Sequence, residues 1–229
     1  MNKYVIIVAG GVGSRMNSLL PKQFMLLGGQ PLLMYSIRTF YDSGIKEIIV
    51  VIPHSYIELW KSLCREHSFT IPHKVIAGGH FRTQSVKNGL DEIKNPNAVV
   101  AIHDGVRPFV SKETIEHSFQ LAFETGTAVP YLDITDSLRL IDGNVSKSVE
   151  RDRYKSIQTP QCFKLSLLKE AYHTSQEHSF ADDASLVEQM DVNISLFKGN
   201  KENIKITSPL DFIIAEAILK SKEKSLTEE

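Results

Sequence analysis

Short apolar runs alternate with amphipathic stretches over the first half of the chain. Four runs rich in valine and isoleucine are typical of strands that are buried on both faces of a parallel sheet. They span residues 4–9, 47–52, 74–77 and 98–102. Stretches with apolar residues at helical spacing lie at 31–43, 55–67, 83–93 and 111–124. This alternation predicts an α/β fold with right-handed crossovers around a mostly parallel sheet.

The predicted strands all end at residues that suit a ligand site. The first four strands end at or just before Gly10, Pro53, Gly78 and Asp104. In open parallel sheets the ligand binds beyond the carboxyl ends of the strands. We therefore expect the glycine-rich loop, the Gly78-Gly79 turn and Asp104 to surround one crevice.

The pattern changes at about residues 131–161, where polar and apolar residues alternate around Asp142-Gly143-Asn144. Asp-Gly between alternating runs predicts a β-hairpin. Two strands alone are only marginally stable in water, so we expect this protruding arm to pack on a second copy of the chain. Helices are predicted at 165–176, from Asp182-Asp183 and from Ser208, with a strand at 193–197. Residues 1–229 are expected to form a single domain.

The loop after the first strand is rich in glycine and carries two cations. Gly10–Gly13 allows backbone N–H groups to approach phosphates closely, and Arg15 and Lys22 add positive charge. The dinucleotide fingerprint fails because position 16 is methionine, and no Gly-Lys-Ser/Thr follows for a P-loop. The pattern favours a triphosphate site; the alternative is an ordinary turn with two solvated cations.

Two further loops carry candidate ligand groups. The turn at 78–85 enters a helix, and Arg82 and Ser85 could face an anion or a base there, unless it is simply a tight turn. At the end of the fourth strand, Asp104 is placed to hold a magnesium–phosphate complex and Arg107 to grip a second phosphate. The alternative is an Asp104–Arg107 ion pair. His103 is either a base or, more simply, a packed histidine.

Three other positions carry charged residues that are candidates for the site, and two of them have an alternative interpretation. Lys205 interrupts the predicted apolar strand 203–207, so it lies either on an exposed face or in the crevice. Asp182-Asp183 is either a metal site or the acidic first turn of a helix. Arg151 lies on the returning limb of the hairpin.

Charge and cysteine usage narrow the class of protein. The net charge of -1 argues against a nucleic-acid surface. The two cysteines, Cys64 and Cys162, have no metal or redox spacing and predict reduced thiols in a cytoplasmic protein. The apolar start reaches Gly10 too soon for a signal peptide or a membrane span.

Seven ordered motifs resemble the cytidylyltransferases that act on 2-C-methyl-D-erythritol 4-phosphate. The resemblance covers essentially the whole chain, and it implies a Rossmann-like nucleotidyltransferase sheet with a protruding hairpin arm. The motifs are AGGVGSRM with PKQF (9–16, 21–24), GGHFRTQSV (78–86), HDGVRPF (103–109), TDSLR (135–139), QTPQCF (158–163), DDAS (182–185) and ENIKIT (202–207).

The resemblance implies a role for each matching residue. CTP and an alditol phosphate would be the substrates and Mg²⁺ the cofactor, in a homodimer joined through the arm. Catalytic roles fall on Arg15, Lys22, Arg151 and Lys205. Nucleotide-binding roles fall on Ala9, Gly10, Gly11, Gly79, Arg82, Ser85 and Asp104. Substrate-binding roles fall on Asp104, Arg107, Ser137, Arg151 and Lys205, with Asp104 also near the metal. Arg151 would serve its own site or that of the partner subunit.

Some positions depart from the family pattern. Gly10 stands where alanine is more frequent, Ser137 where threonine is usual, and Ala181 where threonine is frequent. The Ala-Gly-Gly form also resembles ribitol 5-phosphate cytidylyltransferases, whereas 180–185 and 202–205 look more like the methylerythritol branch. Methylerythritol phosphate is therefore the predicted substrate, with ribitol phosphate and a nucleotide-binding module without turnover as alternatives. A glycosyltransferase is disfavoured because no Asp-x-Asp follows the fourth strand.

Overall fold

The computed structural model describes residues 1–11, 20–175 and 180–227. Short 3-10 turns at Lys22–Phe24, His54–Tyr56 and Arg151–Arg153 supplement the regular elements. The strands are β1 (Asn2–Val8), β2 (Leu26–Leu27), β3 (Gln30–Pro31), β4 (Glu47–Ile52), β5 (Lys74–Ala77), β6 (Ala98–Asp104), β7 (Thr127–Asp133), β8 (Arg139–Asp142), β9 (Val145–Ser148), β10 (Lys155–Ile157), β11 (Gln161–Lys164) and β12 (Leu196–Lys198). The helices are α1 (Leu32–Asp42), α2 (Ile57–Glu66), α3 (Arg82–Asp91), α4 (Lys112–Thr125), α5 (Leu165–Thr174), α6 (Asp183–Glu188) and α7 (Pro209–Thr227).

One eight-stranded sheet organises the chain, in the order β10-β7-β11-β6-β1-β4-β5 with β12 beside β7. Its strands β1, β4, β5, β6, β7 and β12 point in one direction, and only β10 and β11 run against them within this sheet. The mostly parallel α/β sheet is therefore confirmed. Apolar side chains of α1, α2 and α4 cover one face, and those of α3, α5 and α6 cover the other.

The structure corrects the sequence reading at the far side of the sheet. Only part of the interval 131–161 forms the protruding arm. Strands β7 and β10, towards its two ends, pair with each other, and β8 and β9 alone form the hairpin. Strand β11 lies antiparallel between β6 and β7, which the sequence pattern did not predict. Pro130 obscures the strand signal of β7, since proline inside a run argues against a strand. The predicted strand at 203–207 is wrong; that segment is assigned to no strand.

Most helix boundaries agree with the local sequence signals. Ser111 caps α4, where its side chain accepts a hydrogen bond from the Thr114 N–H. At α7, the Asp211 carboxylate accepts from the Ser208 N–H at 2.7 Å. No helix in the described ranges is both long enough and apolar enough to span a membrane.

An aromatic cluster beneath the first loop anchors the turn that carries Lys22. Phe24 is fully buried and packs against Tyr56 and Trp60, at centroid distances of 5.6 and 6.1 Å. The Trp60 indole N–H donates to Nε2 of His73 at 2.9 Å, and Nδ1 of His73 donates to the Ile71 carbonyl at 2.7 Å. His73 is therefore held as the neutral imidazole.

We expect this cluster to make the protein less stable in mild acid. Burial lowers the pKa of His73, although its hydrogen bond to the Ile71 carbonyl acts in the opposite direction. As the pH falls, His73 therefore binds a proton at a higher pH in the unfolded chain than in the folded protein. The unfolding free energy should fall as the pH drops below about 6.5. Urea unfolding at several pH values, read by the single Trp60, tests this. A His73→Phe protein should show a shallower decline between pH 7 and 5.

Candidate active site

A cavity of about 280 Å³ opens at the carboxyl ends of β1, β5 and β6. Within the described ranges it collects residues from five separate stretches of the sequence, and three of these follow strand ends, as the strand-end rule predicts. Its lining is Val8, Ala9, Gly10, Gly11, Lys22, Gln23, Gly79, His80, Phe81, Arg82, Ser85, Asp104, Val106 and Lys205. Nine of the predicted site residues are therefore brought together: Ala9, Gly10, Gly11, Lys22, Gly79, Arg82, Ser85, Asp104 and Lys205.

The Lys22 backbone is held from both sides of its short turn. The buried Gln23 side chain donates to the Ala9 carbonyl at 2.6 Å, which ties the turn to the end of β1. Phe24 secures the other side in the aromatic cluster. Lys22 is thus placed beside the backbone of Gly10 and Gly11 on the cavity wall. Arg15 lies outside the described residues.

The second glycine turn is fastened by the Ser85 hydroxyl. This hydroxyl accepts from the Gly79 N–H at 3.0 Å and donates to the Phe81 carbonyl at 3.1 Å. A Cβ at Gly78 would lie 2.9 Å from the same oxygen, so the turn leaves no room for a side chain there. Ser85 therefore shapes the loop that lines the cavity.

Arg82 is engaged by a buried carboxylate from a distant helix. Its guanidinium lies 2.5 Å from Asp183, which is fully buried and also accepts from the Tyr172 hydroxyl at 2.6 Å. Burial alone would lower the pKa of Arg82, but Asp183 outweighs it and the pKa is raised. Neighbouring Asp182 caps α6 by accepting from the Ser185 N–H. The prediction that Asp182-Asp183 begins a helix is confirmed. The ion pair between Asp183 and Arg82 was not predicted from the sequence.

Replacing Asp183 with asparagine should destabilise the protein by about 3–5 kcal/mol, since it leaves the mostly buried Arg82 charge without a counterion. Because Arg82 begins α3, CTP binding should weaken as well. Thermal and urea unfolding measure the first effect, and calorimetric titration with CTP measures the second. Asp91→Asn removes an exposed partner from Lys87 on the same helix and should change stability by less than about 1 kcal/mol. Equal effects of the two variants would contradict the prediction.

Asp104 ends β6 between two cations. Its Oδ2 lies 3.1 Å from Nε of Arg107 and 3.1 Å from Nζ of Lys205. The predicted Asp104–Arg107 ion pair is therefore present, and Lys205 faces the crevice rather than an outer face. Lys205 extends from a segment that is joined to the Asp104 loop by the Ile206 N–H, which donates to the Val106 carbonyl at 3.0 Å.

Electrostatics keep the Asp104 carboxylate ionised. Burial alone would raise its pKa, but Lys205, Arg107 and Arg82 outweigh this and hold the pKa far below its usual range. His103 beside it is fully buried, and burial lowers its pKa to about 4. The prediction of a packed histidine is therefore confirmed, and His103 is not a base that reaches the substrate.

A metal ion would find one carboxylate here. No group of three or more acidic, histidine or cysteine side chains that could hold a metal occurs among the described residues. Mg²⁺ commonly binds through one or two carboxylates and completes its shell with phosphates and water. A single ionised Asp104 at the cavity wall fits that kind of site and does not fit a metal held by protein ligands alone.

The structure leaves two predicted residues away from the cavity. Ser137 is exposed near the base of the hairpin. Arg151 is also exposed, and it donates to the Thr135 carbonyl at 2.5 Å. Neither residue lines the cavity of its own chain. Arg107 is not on the lining either, but it contacts the site through Asp104.

Several residues that support the site were not predicted from the sequence to do so. Gln23, Thr159, Asn203 and Asp183 are buried polar side chains whose partners lie far away in the chain. All four of them lie inside the quoted motifs. The feature that identifies these residues is that a polar side chain is buried, and burial can be seen only in the folded structure.

Comparison with known proteins agrees with this geometry. A family profile described as 2-C-methyl-D-erythritol 4-phosphate cytidylyltransferase matches residues 3–221. The protein of that name from Bacteroides thetaiotaomicron is 47% identical over 221 residues, covering 96% of this chain and 100% of the relative.

Solved structures agree as well. The Thermus thermophilus cytidylyltransferase of the same name superimposes with a TM-score of 0.80 at 30% identity, covering 96% of this chain and 100% of that one. A 4-diphosphocytidyl-2C-methyl-D-erythritol synthase from Anaerococcus prevotii has a TM-score of 0.81 at 28% identity, covering 95% and 96% of the two chains. This chain therefore belongs to the family of 2-C-methyl-D-erythritol 4-phosphate cytidylyltransferases.

Proposed function

We propose that the protein transfers CMP from CTP to 2-C-methyl-D-erythritol 4-phosphate, releasing pyrophosphate and the CDP-methylerythritol intermediate of isoprenoid precursor synthesis. The observation that carries this proposal is the cavity itself. It places a glycine-rich strand end and Lys22 beside the Asp104–Lys205 pair. Two phosphate-binding regions thus meet in one crevice, as a reaction between two phosphorylated substrates requires.

The chemistry needs positioning and charge more than a base. A phosphate oxygen of the alditol phosphate attacks the α-phosphorus of CTP in line. The new P–O bond forms while the bond to the β-phosphate oxygen breaks, and pyrophosphate leaves with the electron pair. The attacking phosphate is already an anion at neutral pH, so no proton has to be removed. Catalysis then consists of orientation and stabilisation of the developing charge.

Each part of the cavity has a role in this scheme. The backbone at Gly10 and Gly11 approaches the triphosphate, and the Lys22 ammonium stabilises charge at the α-phosphate. The loop fastened by Ser85 faces the cytosine. Arg107 and Lys205 orient the phosphate of the second substrate. The family resemblance gives Arg15 the same role as Lys22.

We further propose that Mg²⁺ is held by Asp104 together with the CTP phosphates. When bound, the ion neutralises part of the triphosphate charge. The carboxylate is suited to this because the surrounding cations keep it ionised at all working pH values.

The hairpin supports the proposal of a homodimer. Every residue of β8 and β9 is exposed in the single chain. Leu140 and Val145 lie on the same face of the hairpin, with 56% and 54% of their surface exposed. A partner subunit would cover this face and receive Arg151 at its own site. A cytoplasmic location completes the proposal.

Replacing Leu140 with aspartate should convert the dimer to a monomer, since it exchanges the apolar side chain that a partner would cover for a carboxylate that must lose its hydration on assembly. Light scattering after size-exclusion chromatography measures the mass. Ser148→Asp places the same charge on the opposite face of the hairpin and should leave the dimer intact. A wild-type protein that is monomeric at micromolar concentration would exclude the proposed assembly.

Pyrophosphate release tests the reaction itself. The protein is incubated with Mg²⁺, CTP and, in parallel, methylerythritol, ribitol or glycerol phosphate. We expect release with methylerythritol phosphate and little with the other two. Preference for ribitol phosphate would overturn the substrate and keep the reaction class. Binding of CTP without release from any acceptor would favour a module without turnover.

A further inference from the structure

Four residues behind the Asp104 pair form a closed ring of hydrogen bonds. Nε2 of His103 lies 3.0 Å from the Arg107 carbonyl, and Nη1 of Arg107 donates to the Asn203 carbonyl at 2.9 Å. Nδ2 of Asn203 donates to the Thr159 carbonyl at 2.7 Å, and the Thr159 hydroxyl lies 3.0 Å from Nδ1 of His103. The ring joins three segments that are remote in sequence.

The ring has only one consistent arrangement of hydrogens. The Arg107 carbonyl can only accept, so Nε2 of His103 carries the hydrogen. Nδ1 of the neutral ring is then an acceptor, and the Thr159 hydroxyl donates to it. That hydroxyl oxygen in turn accepts from the Asp104 N–H at 3.1 Å. Each hydrogen bond in this series of contacts therefore has a defined donor and a defined acceptor.

The ring is buried, which makes its contacts costly to lose. His103 and Asn203 have no exposed surface, and Thr159 is 6% exposed. An unpaired polar atom at such a place is strongly unfavourable, so each member restrains the next. Arg107 and Lys205, the cations of the second phosphate site, extend from two of the joined segments.

We propose that His103, Thr159 and Asn203 are positioning residues, which together set the direction of Arg107 and Lys205 toward the phosphate of the second substrate. This inference rests on the proposed function for the identity of that phosphate. The three residues do not line the cavity themselves. They act through Arg107, through the backbone of Asp104 and through the segment that carries Lys205.

Two histidine variants separate the two bonds of the ring. His103→Gln retains a donor near the Nε2 position but loses the acceptor for Thr159. His103→Asn retains an acceptor near the Nδ1 position but loses the donor to Arg107. Thr159→Val removes the hydroxyl with little change of shape. Each histidine variant should raise KM for methylerythritol phosphate about tenfold and change KM for CTP less than about twofold, as expected for one lost buried hydrogen bond. Thr159→Val also loses the bond from the Asp104 N–H, so it should raise KM for methylerythritol phosphate further.

Double variants sharpen the test, because bonds that share a partner are not additive. Thr159→Val combined with His103→Gln should be no worse than Thr159→Val alone, since the bond that His103→Gln removes is already absent from that variant. Thr159→Val combined with His103→Asn should be worse than either. Ser118→Ala removes a buried hydroxyl that donates to the Thr114 carbonyl, away from the site, and controls for loss of stability alone.

The tautomer of His103 provides a readout that does not need turnover. Side-chain ¹⁵N NMR, assigned by the signal lost in His103→Gln, should show a protonated Nε2 and an unprotonated Nδ1. An Nδ1–H tautomer, or equal rises in KM for both substrates, would overturn the positioning role. A wild-type protein that shows the expected tautomer but transfers no CMP would count against the proposed function instead.

Discussion

Replacing Lys22 with alanine is expected to lower kcat/KM for cytidylyl transfer about 100- to 1,000-fold, equivalent to about 3–4 kcal/mol of transition-state stabilisation. Lys22 lines the cavity together with Gly11. Its backbone is fixed by the Gln23 contact with the Ala9 carbonyl at 2.6 Å. A charge held in this way stabilises the transition state without rearrangement during the reaction, which is why its removal should be costly.

The loss should fall mainly on kcat, because charge develops at the α-phosphate only during the reaction. Steady-state kinetics with both substrates varied will separate the two parameters. Lys61→Ala removes an exposed lysine of α2 that pairs with Glu58, and it serves as the matched control. Full turnover by the Lys22→Ala protein would refute the assignment of the triphosphate site.

Replacing Asp104 with asparagine should lower kcat/KM by about 100-fold, in the range seen for loss of one preorganised electrostatic group. The amide cannot balance the charges of Arg107 and Lys205, which lie 3.1 Å from the same oxygen. It would also weaken the proposed hold on Mg²⁺. The unfolding free energy should fall as well, because the ionised carboxylate is buried among cations.

The loss of unfolding free energy in the Asp104→Asn protein should depend on pH in a defined direction. The folded pKa of Asp104 lies below its unfolded value, so its stabilising effect is complete above about pH 4 and disappears as the pH falls through the folded pKa. At pH 7 the variant should therefore be less stable than the wild type. Asp133→Asn, at an exposed pair with Lys155, should change stability by less than about 1 kcal/mol. A variant with normal kinetics and normal Mg²⁺ dependence would contradict the role of Asp104.

The parallel core of the fold could be predicted from the sequence with good accuracy. Strands β4 and β5 match the predicted boundaries, and β1 and β6 differ from them by at most two residues at either end. Their continuous apolar runs are local features that need no knowledge of neighbours. The strand-end rule then placed the glycine-rich loop, the Gly78-Gly79 turn and Asp104 at one crevice, and Gly10, Gly79 and Asp104 line the cavity.

The insertion of β11 could not be predicted in the same way. Four residues, Gln161–Lys164, form an antiparallel strand between β6 and β7. So short a segment carries too little periodicity to show its direction or its neighbours. The same limit applies to Lys205, whose apolar flanks suggested a strand although the segment is held by contacts with the Asp104 loop.

Single polar residues were the least predictable part of the site. Arg82 looked like a ligand from its place after a glycine turn, and its main partner is Asp183, 101 positions away. The hydrogen-bond ring of His103 and Asn203 likewise joins segments about 100 residues apart in sequence. Such pairings depend on which segments the folded sheet brings together.

The alternation of strands and helices, the glycine-rich loop and the family could be predicted from the sequence, because hydrophobic periodicity and ordered motifs are properties of neighbouring residues. Which cation faces which carboxylate could be seen only in the folded structure. Asp104 is balanced by Arg107 and Lys205, and Arg82 by Asp183, because buried charges are stable only where the fold supplies a partner.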